Sequence, residues 1–422
     1  MKRYESYKPS GISWIGEIPS HWEQSTLRKF LTLFSEKGHG DKQLLSVTRE
    51  LGVIVRNTED KEENHNYIPD DLNGYKLVKQ GQFVVNKMKS WQGSYGVSDY
   101  EGIVSPAYYV CDLNFQYKPY FSLAIRSKAY IPFFSQMSKG IRVDQWDLST
   151  YALKSIPFIF PPLEEQKKIV EYLSTKTSLI DAQQSARERE IRLLEELKQA
   201  EIANVVTRGL NPDVPMKDSG IPWIDKIPAH WEVKRLGAFF NDNISSNSDY
   251  KFDRAYKFNY GTIVPKNELG DVSDLRETYL KYSVLKQDDI IINGLNLNYD
   301  FVSQRVAISP TDCIITSAYI VLRPSSYTYS KYFLQLFKAM DSKKLFHGMG
   351  TGIRLTLSFN ELKSQMLPIP PIEEQRAIVE YIEHKNKAID DMIANLRAEI
   401  DFLTEYKQRL IADAVTGQIK ID

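Results

Sequence analysis

The sequence predicts an α+β protein: two mixed α/β domains joined by two long antiparallel coiled-coil helices, with a pseudo-twofold internal repeat. Three observations lead there. The peptide SGISWIGEIPSHWE (Ser10–Glu23) returns as SGIPWIDKIPAHWE (Ser219–Glu232), and Ser10–Leu27 matches Ser219–Leu236 at 11 of 18 positions without a gap. PPLEEQKKIVEYLSTKTSLID (Pro161–Asp181) matches PPIEEQRAIVEYIEHKNKAID (Pro370–Asp390) at 12 of 21 positions, and both offsets are 209 residues. Each PPxEEQ then opens a stretch with no Pro or Gly, Glu164–Thr207 and Glu373–Thr416. A fixed period of this kind marks two copies of one plan.

Taken in order, each copy begins with the Trp-rich opener. A segment of nearly equal length but different sequence follows, from about Arg28 to Ile156 and from about Gly237 to Leu367. Faint echoes remain inside it. GQFVVN (Gly81–Asn86) resembles DDIIIN (Asp288–Asn293), IVSPAYYV (Ile103–Val110) resembles IITSAYIV (Ile314–Val321), and KGIR (Lys139–Arg142) resembles TGIR (Thr351–Arg354). Short β-branched runs between turn residues predict strands, and YKPYFSLAIRSK and YSKYFLQLFKAM are helical candidates.

The long stretches are rich in helix formers. Pro161-Pro162 and Pro370-Pro371 fix their starts, because proline in a first turn removes no hydrogen bond, and the Glu pairs that follow suit the positive end of a helix. About 44 residues make a helix of about 65 Å. In the second copy Ile389, Met392, Leu396, Leu403, Tyr406 and Leu410 fall on alternating three- and four-residue steps, with Glu399 the polar exception. That is a coiled-coil seam. The first copy is less regular, with apolar positions at Ile169, Leu173, Ile180, Leu194 and Leu197. Two such helices most simply bury their seams on each other, antiparallel, with one divergent segment at each end. The expected division is 1–160, 161–210, 211–369 and 370–422. The C-terminal AVTGQIKID followed by the N-terminal MKRYESYKPSGISW resembles the central VVTRGLNPDVPMKDSGIPW, so the repeat is circular in character and the termini are expected to lie close together.

Composition sets bounds on function. The chain has 422 residues, too many for one simple core, with 42% hydrophobic and 26% charged residues, as in ordinary globular proteins. No apolar run approaches the roughly 18 residues needed to span a bilayer, and the polar start is no secretory signal, so a cytoplasmic protein without membrane contacts is expected. Two cysteines, Cys111 and Cys313, argue against a disulfide framework or a zinc site. Basic and acidic residues balance at 54 each, which excludes a general nucleic-acid coat but not a local basic surface. A phosphate loop, a glycine-rich cofactor fingerprint, HExxH, CxxC and the Asn/Asp-Pro-Pro-aromatic tetrapeptide of amino-methyltransferases are all missing. No catalytic residue, no metal site and no cofactor are therefore expected.

The opener SGIxWIxxIPxHW, the divergent segments, and PPxEEQ leading a long helix that ends in VTRG (Val206–Gly209) or VTG (Val415–Gly417) resemble the specificity subunit of type I restriction–modification systems. The resemblance runs from Ser10 to Gly417; the extra Arg208 is its one departure. It implies a non-catalytic protein with two target-recognition domains, each reading half of a split, asymmetric double-stranded DNA sequence, the helices setting the spacer. It implies two adenine-N6 methyltransferase subunits docked on the repeated parts, with S-adenosylmethionine bound by those partners, and nuclease–translocase subunits as further partners. Similar frames with divergent inserts carry the same implication from the residues alone: identical partners and different targets. The rival readings are a self-sufficient DNA-modifying enzyme, which lacks the motifs, and a two-lobed protein scaffold.

Candidate DNA contacts are polar loops beside strands, since Lys and Arg suit phosphates while Arg, Lys, Asn and Gln suit base edges. In the first domain NKMKSWQGSYG supplies Asn86, Lys87, Lys89, Ser90, Trp91, Gln92 and Tyr95, and KGIRVDQW adds Arg142 and Gln145. In the second, Asn293, Asn296, Asn298 and Tyr299 come from NGLNLNYD, followed by Gln304 and Arg305. SKKLFHGMGTGIR adds Lys343, Lys344, His347 and Arg354, the last matching Arg142. The plain alternative for each is a solvated side chain. The acidic Asn57–Asp71 is expected to face away from phosphate. Trp14, Trp22, Trp223 and Trp231 either pack the base of each domain or dock a partner, and Glu165, Gln166, Glu374 and Gln375 are candidates for partner contact or helix capping. His21 and His230 read as structural hydrogen-bonding groups.

Overall fold

The computed structural model describes residues 2–57, 68–69, 71–140, 146–242, 244–267, 275–325, 328–352 and 355–421. The chain forms two compact units, Met1–Arg187 with Arg397–Asp422, and Glu188–Leu396. The first unit is closed by both termini: the Lys420 N–H donates to the Lys2 carbonyl (2.9 Å) and the Tyr7 hydroxyl to the Gly417 carbonyl (3.1 Å).

The central sheet of the first unit contains β1 (Leu31–Phe34), β2 (Phe83–Val85), β3 (Tyr95–Val97) and β4 (Tyr109–Leu113), in the antiparallel order β1-β4-β2-β3. Cys111 stands opposite Leu33 on one side and Phe83 on the other. The second unit repeats this with β5 (Phe240–Asn241), β6 (Ile290–Ile292), β7 (Val306–Ile308) and β8 (Ile320–Pro324), in the order β5-β8-β6-β7. The echoes GQFVVN and DDIIIN are thus the inner strands β2 and β6, and IVSPAYYV and IITSAYIV run into their partners β4 and β8. β6 is Ile-Ile-Ile and wholly buried, as a strand covered on both faces must be. A helix lies against each sheet. Lys118–Ile125 carries Pro119 in its first turn and buries Tyr120, Phe121, Ala124 and Ile125; Ser330–Ser342 buries Tyr332, Phe333, Leu336, Phe337 and Met340 at helical spacing.

The opener is a hairpin in each copy, Tyr7–Ile12 with Gly16–Pro19 and Met216–Ile221 with Ile224–Pro228. The strand after it, Glu23–Thr26 or Glu232–Arg235, pairs antiparallel with Pro157–Phe160 or Met366–Ile369, the strand just before the double proline. That pairing carries the opener's Trp and His to the start of the long helix.

The long helices are α1 (Leu163–Arg208) and α2 (Ile372–Val415). In the first unit Lys407 pairs with Asp181 (2.6 Å) and the Gln184 amide donates to Thr404 (2.6 Å), so the helices run antiparallel. In the second unit Lys198 pairs with Asp390 (2.7 Å) and the Tyr381 hydroxyl donates to Glu201 (2.6 Å), with the same polarity. Lys198–Asp390 and Lys407–Asp181 are one ion pair made twice, since both partners recur 209 residues on. The seam differs from its predicted register. Ile389, Ile393 and Leu410 are buried and Leu396, Ile400 and Leu403 partly so, whereas Met392 and Tyr406 face outward, as does Leu197 on α1. The inward stripe takes Ile393 and Ile400 and uses polar residues such as Gln184 and Lys198, whose heads find partners on the facing helix.

Each helix stops in the same way. Gly209 and Gly417 both take φ +74°, a left-handed conformation that favours glycine at a helix C-terminus. The last carbonyls accept from buried tyrosines: Tyr332 donates to Val206 (2.9 Å) and Tyr120 to Val415 (3.3 Å). No helix among the described residues is long and apolar enough to cross a membrane.

Candidate nucleic-acid interface

The repeated residues build a clamp, once in each unit. Trp22 and Trp231 are fully buried. Trp22 Nε1 donates to Glu165 (3.1 Å) and His21 Nε2 lies 2.8 Å from the same carboxylate. Trp231 Nε1 and His230 Nε2 meet Glu374 at 3.0 and 2.8 Å. The next residue, Gln166 or Gln375, is buried and donates to the carbonyl of Pro161 (2.8 Å) or Pro370 (2.9 Å). The first unit adds Tyr4, whose hydroxyl also bonds Glu165; burial first, then that bond, pushes the phenol well above its ordinary range. Of the two readings open for Trp22, Trp231, Gln166 and Gln375, burial therefore favours internal packing over partner docking. Glu165 and Glu374 are committed to the clamp. Trp14 keeps 39% exposure while donating to the Ala129 carbonyl (3.1 Å), and Trp223 is half-buried under the Lys343 ammonium.

Above this frame, two loops occupy the same place in the two sheets. Residues 86–94 join β2 to β3 and residues 293–305 join β6 to β7. Both begin with asparagine. The Asn86 N–H donates to the Ser94 carbonyl (3.0 Å) and the Asn293 N–H to the Arg305 carbonyl (2.8 Å), closing each loop at its base. Asn86 Oδ1 accepts from the Met88 N–H (3.3 Å) and Asn293 Oδ1 from the Leu295 N–H (3.2 Å). The anchoring is shared and the contents are not.

The first loop is basic. Lys89 and Met88 are exposed, and Lys87 is held against Asp147 (3.1 Å). Trp91 tilts against Trp146 (5.0 Å) and, with Gln92, lines a groove of about 1170 Å³ whose rim carries Arg49, Lys118, Arg126 and Lys128 against Glu50 and Asp99. Arg126 fixes this wall by donating to the carbonyls of Tyr95 (2.6 Å), Glu50 (2.6 Å) and Arg49 (3.1 Å). Three expected contacts are corrected. Tyr95 is buried and stacked on Phe134 (3.7 Å), Ser90 is buried beside Ser138, and Asn86 is buried with its amide on the Tyr108 hydroxyl (3.1 Å). They shape the loop from within. These cations were not among the sequence candidates: the fold brings Arg49 to Lys118, Arg126 and Lys128, which sit in a stretch that reads as a helix.

The second loop is built around Arg305, also corrected to an internal role. Its buried guanidinium donates to the carbonyls of Leu295 (2.9 Å), Asp300 (2.7 Å), Asn293 (3.1 Å) and Asn296 (3.4 Å). Its N–H and the Gln304 amide both donate to Asp341 (2.7 and 2.8 Å), whose carboxyl burial pushes up. Asp300 accepts from the N–H groups of Ser303 (2.9 Å) and Val302 (3.0 Å); the Ser303 N–H above all holds its carboxyl down to about 2. Asn296 and Tyr299 are exposed and Asn298 partly so. His347 stacks on Phe301 (4.6 Å), and Lys343 and Lys344 precede it at the end of the Ser330–Ser342 helix. Arg305→Ala is expected to orphan four carbonyls and destabilise the second unit by roughly 3 kcal/mol. Urea unfolding, with amide exchange rising first in 293–305, checks this.

Arg142, Gln145, Arg354 and most of Asn57–Asp71 lie outside the described residues. Among the described residues no cluster of His, Cys, Asp and Glu is arranged to hold a metal.

The profile described as the type I restriction modification DNA specificity domain matches this chain twice, over residues 19–193 and 228–401. The chain is 25% identical over 432 residues to the putative type I restriction enzyme MjaX specificity subunit of Methanocaldococcus jannaschii, covering 96% of each. It is 25% identical over 301 residues to the EcoBI specificity subunit of Escherichia coli, covering 64% of this chain and 60% of that one. Its fold is similar to a chain solved in work on complex assembly and conformational transition of the type I R-M system, with TM-score 0.61, 15% identity, and coverage of 95% and 99%. The HsdS subunit from Thermoanaerobacter tengcongensis also shares the fold, with TM-score 0.50, 16% identity, and coverage of 95% and 98%. With two specificity domains on one repeated frame, the chain belongs to the family of type I restriction–modification DNA specificity subunits.

Proposed function

We propose that each unit reads one half of a bipartite double-stranded DNA target, that α1 and α2 set the spacer, and that the chain performs no catalysis itself. One observation supports this most: two loops with the same asparagine-led anchoring, on the same sheet position, present different side chains. Lys89 and the groove cations suit phosphates in one half, while Asn296 and Gln304 suit base edges in the other. Arg142, Gln145, Arg354, Lys343, Lys344 and His347 remain proposed contacts.

Two methyltransferase subunits then bind the repeated surfaces, and nuclease–translocase subunits join that complex. The docking face is offered by outward apolar pairs one helical turn apart, Leu193 and Leu197 on α1 and Phe402 and Tyr406 on α2. They too recur at 209 residues, so one partner can bind twice in the same way. S-adenosylmethionine belongs to those partners.

Lys89→Ala tests the phosphate role. Its complex with methyltransferase should bind all duplexes more weakly, and the slope of log affinity against log salt should shrink by about 1. An unchanged slope with altered base preference would instead make Lys89 a base reader.

A further inference from the structure

Resting on the DNA-recognition reading above, we infer that the tip of the 293–305 loop is an apolar wedge that enters the base stack of the second half-site. Val302 is 92% exposed, Tyr299 78% and Phe301 55%. An apolar tip left to itself in water gains nothing from being held still. This one is fixed from three sides. Arg305 gathers the carbonyls beneath it, Asp300 caps the Val302 and Ser303 N–H groups, and His347 stacks on Phe301 while lying 3.0 Å from the Asp300 carbonyl. Leu297, fully buried, pins the loop to the core, with its N–H on the Leu355 carbonyl (3.2 Å). The result is a preorganised projection with apolar and aromatic ends.

The occupant follows from position and surroundings. The equivalent loop of the first unit carries Lys87, Met88 and Lys89, a surface for an anionic polymer. The second loop holds the same sheet position with no cation at its tip, so it meets the same polymer at its apolar part, the stacked bases. Asn296, a side chain suited to a base edge, is exposed within the loop, and Gln304, its amide held by Asp341, stands at its end. The exposed Tyr260 crowns a hairpin (Tyr256–Asn259 with Thr262–Pro265) that meets the loop at Gln304, where a Cβ on Gly261 would stand 2.6 Å from the Gln304 Cγ. Apolar side chains inserted at a base step unstack it and kink the duplex, and the sequence cost of that distortion adds selectivity.

The test uses the complex of the full chain with its methyltransferase subunits and a duplex carrying the target mapped from methylated adenines. 2-Aminopurine is placed at each position of the second half-site in turn. One step should brighten several-fold on binding. The brightening should vanish with the Tyr299→Ser/Val302→Ser double variant, whose affinity should fall about tenfold. No brightening at any position overturns the wedge, even if binding is sequence-specific. A variant that binds DNA normally but loses methyltransferase overturns it in favour of a protein-docking tip. If the wild-type complex does not prefer the mapped target, the DNA-recognition reading itself fails, and the wedge with it.

Discussion

Trp231→Ala is expected to destabilise the second unit by about 3–5 kcal/mol, and Trp22→Ala the first unit by a similar amount. Both indoles are fully buried, and each seals the junction of opener, helix start and helix end. The helix-stopping glycine lies against each ring: a Cβ at Gly209 would stand 3.4 Å from Trp231, and one at Gly417 the same distance from Trp22. Truncation leaves a cavity and removes the N–H that Glu374 or Glu165 accepts. Trp231→Phe keeps most of the packing and loses the N–H, so about 1–2 kcal/mol is expected from it. Urea unfolding of the full chain measures all three. Wild-type stability in both alanine variants would reduce the clamp to a surface decoration.

The second large effect is on specificity. Replacing residues 237–365 with a copy of residues 28–156 should convert an asymmetric target into a symmetric one. The exchange is physically clean because both ends of each divergent segment meet at one place. The Leu27 N–H donates to the Ile156 carbonyl (2.9 Å), and the Leu236 N–H to the Gln365 carbonyl (2.8 Å). The strands flanking these bonds belong to the repeated frame and stay. Genome-wide mapping of methylated adenines in cells expressing the hybrid reads the outcome. Retention of the original target would place specificity in the frame.

Much of this architecture was legible because it is written twice. The equal offsets of SGIxWIxxIPxHW and PPxEEQ give the repeat, and the uninterrupted helix formers after PPxEEQ give α1 and α2. What the sequence conceals is direction. Met392 and Ile393 are both apolar neighbours, and only packing decides that Ile393 faces inward. Tyr95 and Arg305 are polar enough to suggest a surface, yet tertiary partners, Phe134 and four loop carbonyls, draw them inside. The correspondence of the two loops is hidden by their different lengths and contents, with Asn86 and Asn293 the only shared residues at their starts. Phe301 and Val302 escape notice because a search for polar contacts passes over apolar residues. The clamp could have been suspected from Trp22–Glu165 and Trp231–Glu374, which share a separation of 143 residues.

The most direct measurement of the central claim is methyl transfer to a library of random duplexes by the methyltransferase subunits with and without this chain. With the chain present, adenine methylation should concentrate on a two-part sequence with a fixed spacer, and it should disappear when either half or the spacer length is altered. Methylation by the chain alone, or equal sequence preference without it, would contradict the account.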